Sequence, residues 1–303
     1  MADFRWRQLA DSGDGLFETT RRVVGRGEYR GLTFHEIEAR SILTKSPPGT
    51  PWFGYSINAY RGCSHACVYC FARPTHDYLG FNMGNDFDTE IVVKVNAVDL
   101  VRAETMPGRW SGEMIAMGTN TDPYQAAEGK YKLTRGIIDV LRERSNPFSI
   151  LTKSPLVLRD LDLISEAAKS TEVSVSFSVA TVDEDVWRRT EPGAPHPRRR
   201  LEALAKFRAA GVKGGVMMAP LLPGISDRPD QIAAVEQAAR EAGAESWHPV
   251  KLHLRGMRQH FLDWLSTDSP ELVKQYEAIY PERRPRPRAR RPAAPDSGQL
   301  TLL

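Results

Sequence analysis

The chain has 303 residues, of which 41% are hydrophobic and 26% are charged, and its formal net charge is +3. This length and composition are typical of one large globular domain with small appendages, and no apolar run is long enough to span a bilayer. The last 23 residues hold six arginines against two acidic residues, so the positive charge belongs to the tail and the body is not a uniformly basic nucleic-acid binder.

Short apolar runs alternate with helical patterns after a Pro/Gly cluster that ends near residue 51. Strands are predicted over residues 55–60, 91–95, 114–118, 148–152, 173–179, 212–218 and 247–252. Helices are predicted over residues 97–104, 133–144, 160–169, 198–210 and 229–242. This alternation indicates an α/β fold with a parallel sheet and right-handed crossovers. About six β/α units, fewer than the eight of a closed barrel, predict an open partial barrel of the TIM type.

The same pattern divides the chain into four parts. Residues 1–50 are predicted to be a short N-terminal extension, residues 51–257 the partial barrel, and residues 258–280 helices that cover one end of it. Residues 281–303 are rich in arginine and proline and cannot form a packed core, so a disordered basic tail is expected. Because active sites of such barrels lie at the carboxyl ends of the strands, the candidate residues are sought there.

The three cysteines of the chain, Cys63, Cys67 and Cys70, fall within eight residues. An odd number in so tight a cluster does not form a disulfide framework, and metal ligation is the natural alternative. Iron–sulfur clusters are held by cysteine thiolates, normally four for a 4Fe-4S cluster, so three would leave one iron open. The other reading is a zinc site completed by His65 or His76, although zinc sites favour a second cysteine pair.

The cysteines stand at i, i+4 and i+7, and the aromatic Tyr69 directly precedes the last one. This arrangement resembles the signature of the radical S-adenosylmethionine (SAM) superfamily. Further segments resemble the branch that contains spore photoproduct lyase: residues 69–80, 118–125, 151–154, 191–195 and 219–227. The resemblance implies an enzyme whose reduced 4Fe-4S cluster donates an electron to SAM and releases methionine and a 5′-deoxyadenosyl radical.

Polar residues at two successive strand ends are candidates for binding SAM. Thr121 and Asp122 follow one strand and could receive the SAM ammonium through charge-assisted hydrogen bonds. Lys153 follows the next strand and would pair with the SAM carboxylate. An interpretation without a binding role stays open for each residue. Thr121 and Asp122 could form a simple turn, and Lys153 could lie on the surface.

Three more candidates for the SAM site depend on the resemblance. Tyr69 would pack beside the adenine, and Ser178 and Ala219 would lie near SAM at the ends of their strands. Ser176 and Ser178 share one face of their strand, because side chains alternate with period two. Serines also occur in half-buried strands without a function, so that alternative stays open.

One position departs from the pattern of the branch. Spore photoproduct lyase uses a further cysteine as a hydrogen-atom donor, and Asn120 stands at that position here. Asparagine cannot quench a carbon radical. A tyrosine such as Tyr60, Tyr78 or Tyr124 could donate instead, and nothing in the sequence singles one out. The prediction is a radical SAM enzyme with damaged DNA as a candidate substrate. The alternatives are a small-molecule or protein substrate, and a metal-containing binding module without catalysis.

The two ends of the chain bear on partners and location. The last five residues, Gln299 to Leu303, resemble the peptide by which bacterial DNA polymerases and repair proteins dock on the sliding clamp. A chance apolar terminus is the alternative, since five residues match easily. The resemblance also implies a reducing partner such as flavodoxin or ferredoxin. The N-terminus lacks the apolar stretch of a secretory signal, so a cytoplasmic location is expected.

Overall fold

The computed structural model describes residues 19–50, 52–254 and 256–282, which fold into two sheets flanked by helices. The strands are β1 (Arg21–Val24), β2 (Thr33–Ile37), β3 (Leu43–Lys45), β4 (Tyr55–Ile57), β5 (Tyr60–Arg61), β6 (Glu90–Lys94), β7 (Ile115–Met117), β8 (Phe148–Thr152), β9 (Val173–Ser178), β10 (Val216–Leu221) and β11 (Trp247–Lys251). The α-helices are α1 (Asn85–Thr89), α2 (Ala97–Glu104), α3 (Ala126–Tyr131), α4 (Leu133–Glu143), α5 (Leu161–Ala167), α6 (Glu184–Thr190), α7 (Pro197–Ala209), α8 (Pro229–Glu241), α9 (Arg258–Asp268) and α10 (Val273–Ile279).

The larger sheet has the strand order β11-β10-β9-β8-β7-β4-β3. Its neighbours from β4 to β11 pair in parallel, and β3 adds an antiparallel edge. The sheet remains open between β3 and β11, and six of its strands are parallel. The predicted open partial barrel with six β/α units is therefore confirmed, and no closed barrel forms in the described part of the chain.

The main core lies between the larger sheet and its helices. Helix α4 shows how the sequence specifies this packing, because its apolar residues recur on one face: Leu133, Ile137, Ile138 and Leu141, all buried. Burial of each such side chain contributes roughly 1.5–3 kcal/mol. The covered strands carry near-continuous apolar runs, as parallel strands do when helices cover them.

The smaller sheet has the order β1-β2-β6-β5 and is assembled largely from the N-terminal region. No strand was predicted before residue 55, yet β1, β2 and β3 all lie there. The predicted strand over residues 55–60 is wrong in one respect: it is divided into β4 and β5, which belong to different sheets. Strand β5 pairs with β6 and leads directly into the cysteine segment. The domain boundary at residue 50 stays a prediction.

The C-terminal helices α9 and α10 form a second apolar core with the cysteine segment. Its buried members include Cys67, Tyr69, Met257, Phe261 and Tyr276. These helices thus help to enclose the cysteines. No helix among the residues that the structure describes is both long and apolar enough for a membrane span. The predicted disordered tail, with Gln299 to Leu303, lies outside the described residues.

Candidate functional site

A cavity of about 270 Å³ opens at the carboxyl ends of the parallel strands. Its walls come from the segment after β5 and from the ends of strands β7 to β11. All nine predicted site residues line it: Cys63, Cys67, Tyr69, Cys70, Thr121, Asp122, Lys153, Ser178 and Ala219. Residues that are far apart in the sequence are therefore brought together by the sheet, as expected for a barrel of this type.

The three cysteines are free thiols on one wall of the cavity. Cys63 and Cys67 are buried and Cys70 is partly buried. Burial raises the pKa of Cys67 to about 12. Such a thiol keeps its proton near neutral pH until a metal binds and displaces it, because metal coordination favours the thiolate. Three soft sulfur donors facing one cavity fit the ligand set of an iron–sulfur cluster.

Hydrogen bonds tie the cysteine segment to the loop after β7. The Thr121 hydroxyl donates to the Gly62 carbonyl at 2.6 Å, and the Gln125 amide nitrogen donates to the same carbonyl at 2.9 Å. The Ser64 amide in turn donates to Gln125 Oε1 at 3.1 Å. The Thr121 hydroxyl is therefore engaged inside the protein, where it positions the cysteine segment.

Arg73 holds the cysteine segment from the other side. Its side chain is almost fully buried, and its Nε and Nη2 donate to the Cys67 carbonyl at 3.1 and 3.0 Å. Nη1 donates to the carbonyls of Met83 and Gly84, and Nη2 also pairs with Asp88 at 2.9 Å. The five donors of one guanidinium thus fasten the turn that carries the middle cysteine.

The Asp122 carboxylate connects the ends of β7 and β8. Oδ1 accepts hydrogen bonds from the Tyr124 amide at 2.8 Å and the Thr152 hydroxyl at 2.7 Å, and Oδ2 accepts from the Lys153 amide at 2.7 Å. Oδ2 also faces His65 Nδ1 at 3.4 Å. Burial raises the pKa of Asp122, but His65 and these hydrogen bonds outweigh burial and lower it to about 2. The group is an anion at the cavity wall.

Lys153 lines the cavity and is not a surface residue, since only 14% of its side chain is exposed. Its Nζ donates to Ser178 Oγ at 3.0 Å and lies 5.6 Å from the centre of the Tyr69 ring. The same ammonium is 3.9 Å from Glu191 Oε1. Ser178 Oγ donates to the Ala219 carbonyl at 3.2 Å. Five residues, each from a different segment of the chain, therefore form one polar cluster beside the cysteines.

The two histidines of the zinc alternative have other partners. His76 is buried, and its Nε2 lies 2.9 Å from the Glu90 carbonyl. His65 lines the cavity and faces Asp122. Across residues 19–50, 52–254 and 256–282, no three His, Cys, Asp or Glu side chains are arranged to hold a single metal ion.

The tyrosines suggested as hydrogen donors are not brought to the cavity. Tyr60 and Tyr124 are fully buried, and each hydroxyl is hydrogen-bonded to a buried carboxylate below the site. Tyr78 is exposed on the surface. Asn120, by contrast, does line the cavity, as does Tyr69. The structure therefore gives no support to Tyr60, Tyr78 or Tyr124 in this role.

Four residues that organise the site received no role from the sequence: Gln125, Arg73, Glu191 and Arg200. The first three stand inside segments that carry the resemblance, and that was the available signal. Arg200 lies on α7, where it looks like any arginine of an amphipathic helix. Only the packing of α7 against the end of β9 reveals its position.

The model of the radical SAM superfamily matches residues 57–235, more than half of the chain. The chain belongs to the radical SAM superfamily. Members of that superfamily are enzymes that use a 4Fe-4S cluster and SAM and need a reductant. The matched range contains all nine predicted site residues and begins at the end of β4.

Relatives and solved structures agree with this assignment. The uncharacterized protein Rv2578c of Mycobacterium tuberculosis is 47% identical over 261 residues, which cover 86% of this chain and 77% of that protein. The uncharacterized protein MJ0683 of Methanocaldococcus jannaschii is 33% identical over 195 residues, or 63% of this chain and 71% of that protein. A spore photoproduct lyase variant with bound SAM and dinucleoside spore photoproduct has a TM-score of 0.60 at 16% identity, covering 86% of this chain and 85% of its own. That likeness shows a shared fold.

Proposed function

We propose that Cys63, Cys67 and Cys70 hold the 4Fe-4S cluster of this radical SAM enzyme and leave one iron open to SAM. The observation that carries the proposal is that three free thiols share one cavity with an anion and a cation suited to an amino acid. When bound, the cluster supplies the electron that cleaves SAM into methionine and a 5′-deoxyadenosyl radical. The protein's own part is to hold the thiols, position SAM and limit access of water.

The SAM-binding residues follow from the charges on the cavity wall. Lys153 offers the ammonium for the SAM carboxylate. Asp122 accepts three hydrogen bonds and faces His65, and its Oδ2 would also receive the SAM ammonium. The Tyr69 ring forms an apolar wall for the adenine. Thr121 acts by fixing the cysteine segment.

Ser178 and Ala219 complete the proposed SAM site at the ends of β9 and β10. The Ser178 hydroxyl accepts from the Lys153 ammonium and donates to the Ala219 carbonyl, so it helps to fix the position of that ammonium. The Ala219 side chain is small, and this leaves room for a nucleoside against the strand end. Residues with larger side chains at this position would fill the cavity.

The proposed substrate is a lesion in DNA. Phe71 lies on the rim of the cavity with 57% of its surface exposed, and aromatic rings of this kind stack on bases. Lys251 and His253 also line the cavity and are exposed, so they could contact a phosphate. The fold is also that of an enzyme whose structure holds a dinucleoside lesion.

A second candidate is radical chemistry on a small molecule or a protein side chain. The observation that favours it is Asn120, which lines the cavity where the lyase branch carries its hydrogen-donating cysteine. A substrate whose radical needs no hydrogen atom from the protein suits this cavity. Comparison of SAM cleavage with and without ultraviolet-irradiated DNA, followed by mass spectrometry of the DNA, separates the two candidates.

The partners and the location form the last part of the proposal. A flavodoxin or ferredoxin would supply the electron. The proposed location of the protein is the cytoplasm, where such carriers occur. The last five residues, Gln299 to Leu303, would dock on the sliding clamp, a role that depends on the sequence alone. Deletion of these five residues should abolish binding to purified clamp and leave SAM cleavage unchanged.

Anaerobic reconstitution tests the central proposal. Protein supplied with iron and sulfide, then with dithionite and SAM, should release 5′-deoxyadenosine and methionine in equal amounts. Protein with about four irons and four acid-labile sulfides per chain that forms no 5′-deoxyadenosine would contradict it. One zinc per chain and no labile sulfide would instead support the binding module.

A further inference from the structure

Glu191 and Arg200 form an ion pair behind the wall of the cavity. Both residues are buried, with 1% and 0% of their surface exposed, and Arg200 Nη2 donates to Glu191 Oε2. Arg200 is also held by two backbone carbonyls, since its Nε donates to Pro195 at 2.8 Å and its Nη1 donates to Ser178 at 2.8 Å. Each of the three guanidinium nitrogens thus donates a hydrogen bond, which fixes the orientation of the group.

The other oxygen of Glu191 is directed toward the cavity. Oε1 accepts a hydrogen bond from the Tyr69 hydroxyl and lies 3.9 Å from Lys153 Nζ. One carboxylate therefore faces three donors: the guanidinium of Arg200, the phenol of Tyr69 and the ammonium of Lys153. Tyr69 and Lys153 line the cavity.

The charges of this group do not cancel. Burial raises the pKa of Glu191, but Arg200 and Lys153 outweigh burial and leave that pKa below its usual value, so the carboxyl is ionised. Within these three residues two buried cations share one anion, and the Asp122 carboxylate is a second anion that acts on Lys153. A buried ion pair costs desolvation energy and is weak evidence for stability, so its place behind two cavity residues calls for another explanation.

The segment that carries Glu191 also contacts the cysteine segment through its backbone. The Val68 amide donates to the Thr190 carbonyl at 3.1 Å, and the Gly193 amide donates to the His65 carbonyl at 3.1 Å. A Cβ atom on Gly193 would lie 2.2 Å from the Ser64 carbonyl oxygen, so the two backbones are in direct contact. The position of Glu191 is therefore fixed relative to the cysteines.

We propose that Glu191 and Arg200 are positioning residues for SAM binding. Arg200 fixes Glu191, and Glu191 holds the Tyr69 ring and the Lys153 ammonium where they meet the adenine and the carboxylate of SAM. This inference rests on the proposed function. It also gives a role to residues 191–195, a segment that carries the family resemblance but had no function assigned to it.

The substitution Glu191→Gln keeps the shape of the side chain and removes what the role requires. The amide offers one acceptor oxygen, and its NH₂ group then faces one of the three donors that surround the wild-type carboxylate. Arg200→Lys removes the planar guanidinium, whose three nitrogens bond Glu191 and two backbone carbonyls. Glu191→Asp keeps the charge and should restore part of the function.

The chain offers a control pair that shares the hydrogen-bonding pattern but is partly exposed. Arg208 lies on the same helix α7, donates to the Gly243 and Val212 carbonyls at 2.9 and 2.8 Å, and pairs with Glu245 at 3.0 Å. This pair has the same bonding pattern as Arg200 and Glu191 but lies at the opposite end of the barrel. Arg208→Lys and Glu245→Gln therefore test the general effect of such substitutions.

The experiment measures the dissociation constant of SAM for each reconstituted variant by equilibrium dialysis, together with iron content and circular dichroism. Glu191→Gln and Arg200→Lys should bind SAM at least tenfold more weakly than wild type at equal iron content, and the Arg208 and Glu245 variants should stay within twofold. A second readout needs no cluster: acylation of Lys153 in the metal-free protein should be several-fold faster in Glu191→Gln, because the ammonium has lost its anion.

Two results would overturn this inference. Either Glu191→Gln binds SAM within twofold of wild type, or Lys153 is acylated at the wild-type rate in that variant. If Arg200→Lys does not fold, the near-isosteric Glu191→Gln decides the question alone. Failure of the wild-type protein to bind both iron and SAM would instead refute the proposed function, so the two failures are distinguishable.

Discussion

The two ends of helix α7 place the same residue type in two different settings. At its first turn, Arg200 pairs with Glu191 and touches the end of β9; at its last turn, Arg208 pairs with Glu245 and closes the loop before β11. Both arginines hold two carbonyls and one carboxylate. Only Arg200 is fully buried, and only its carboxylate partner contacts cavity residues.

The same difference distinguishes the two ends of the barrel near α7. At the amino ends of β10 and β11, Arg208 and Glu245 hold loops and stay partly exposed. At the carboxyl ends, Asp122 and Lys153 line one cavity and are largely buried. Substitutions at the site should therefore have larger effects than matched substitutions elsewhere, and the expected effects decrease from the cysteines to Lys94.

The largest effect is expected from Cys67→Ala. Loss of one of three thiolates should reduce bound iron to near zero and abolish 5′-deoxyadenosine, because the cluster would retain two ligands. His65→Ala is the matched change two residues away and should keep the iron. Iron and acid-labile sulfide assays measure both. Full iron content in Cys67→Ala, or its loss in His65→Ala, would contradict the assignment.

The next effect comes from Gly193→Ala. Its new methyl group would lie 2.2 Å from the Ser64 carbonyl oxygen, so the cysteine segment must move. We expect a loss of about 3 kcal/mol in the free energy of unfolding and poor iron loading. At Gly54, near the amino end of β4, a Cβ would meet its nearest neighbour, Glu113, at 3.6 Å. Gly54→Ala should change stability by less than about 0.5 kcal/mol. Equal denaturation midpoints for the two variants would count against the close contact.

Asp122→Asn should have a smaller effect on stability, about 2 kcal/mol, because the amide cannot accept every hydrogen bond of the carboxylate. Binding of SAM should weaken at least tenfold. Asp139→Asn is the control, since that residue forms an exposed pair with Arg142 at 2.8 Å and should contribute at most about 0.5 kcal/mol. Urea unfolding and equilibrium dialysis measure the two quantities. Wild-type affinity in Asp122→Asn would remove this residue from the SAM site.

The smallest effect concerns Lys94 of β6, outside the barrel. Burial and nearby Arg61 lower the pKa of Lys94 to about 7. Between pH 7 and 8 the unfolded chain keeps this proton and the folded protein loses it, so the free energy of unfolding should rise by about 1 kcal/mol over that unit. Lys94→Met should remove this dependence of the unfolding free energy on pH. Lys213→Met should not, because Lys213 forms an exposed ion pair with Glu172. A free energy of unfolding that falls with pH in the wild type would contradict a lowered pKa of Lys94.

Four of the parallel strands were predicted to within one residue at each end, because their signal is local. The strand predicted over residues 212–218 was wrong at its start, since β10 is Val216–Leu221. The strand over residues 148–152 and the helix over residues 97–104 match the structure at both ends. The strands of the smaller sheet could not be found in this way. Strand β1 is half arginine, and β5 has two residues, so their existence depends on pairing with β2 and β6.

The candidate site shows the same division. The cysteines, Asp122 and Lys153 could be predicted because each follows a recognisable strand or motif. The partners of these residues could not, because Arg73 and Arg200 act through contacts between segments that only packing brings together. Thr121 lines the cavity as predicted, and its contact with SAM stays a prediction, but its hydroxyl already donates to the Gly62 carbonyl and accepts from Gln125. A motif therefore locates a residue but does not determine which atoms it leaves free.

Electron paramagnetic resonance of the anaerobically reduced protein, before and after addition of SAM, tests the central claim most directly. The account predicts the signal of a reduced 4Fe-4S cluster whose g-values shift when SAM binds at the open iron. A cluster signal that SAM leaves unchanged, or no cluster signal from fully iron-loaded protein, would contradict it.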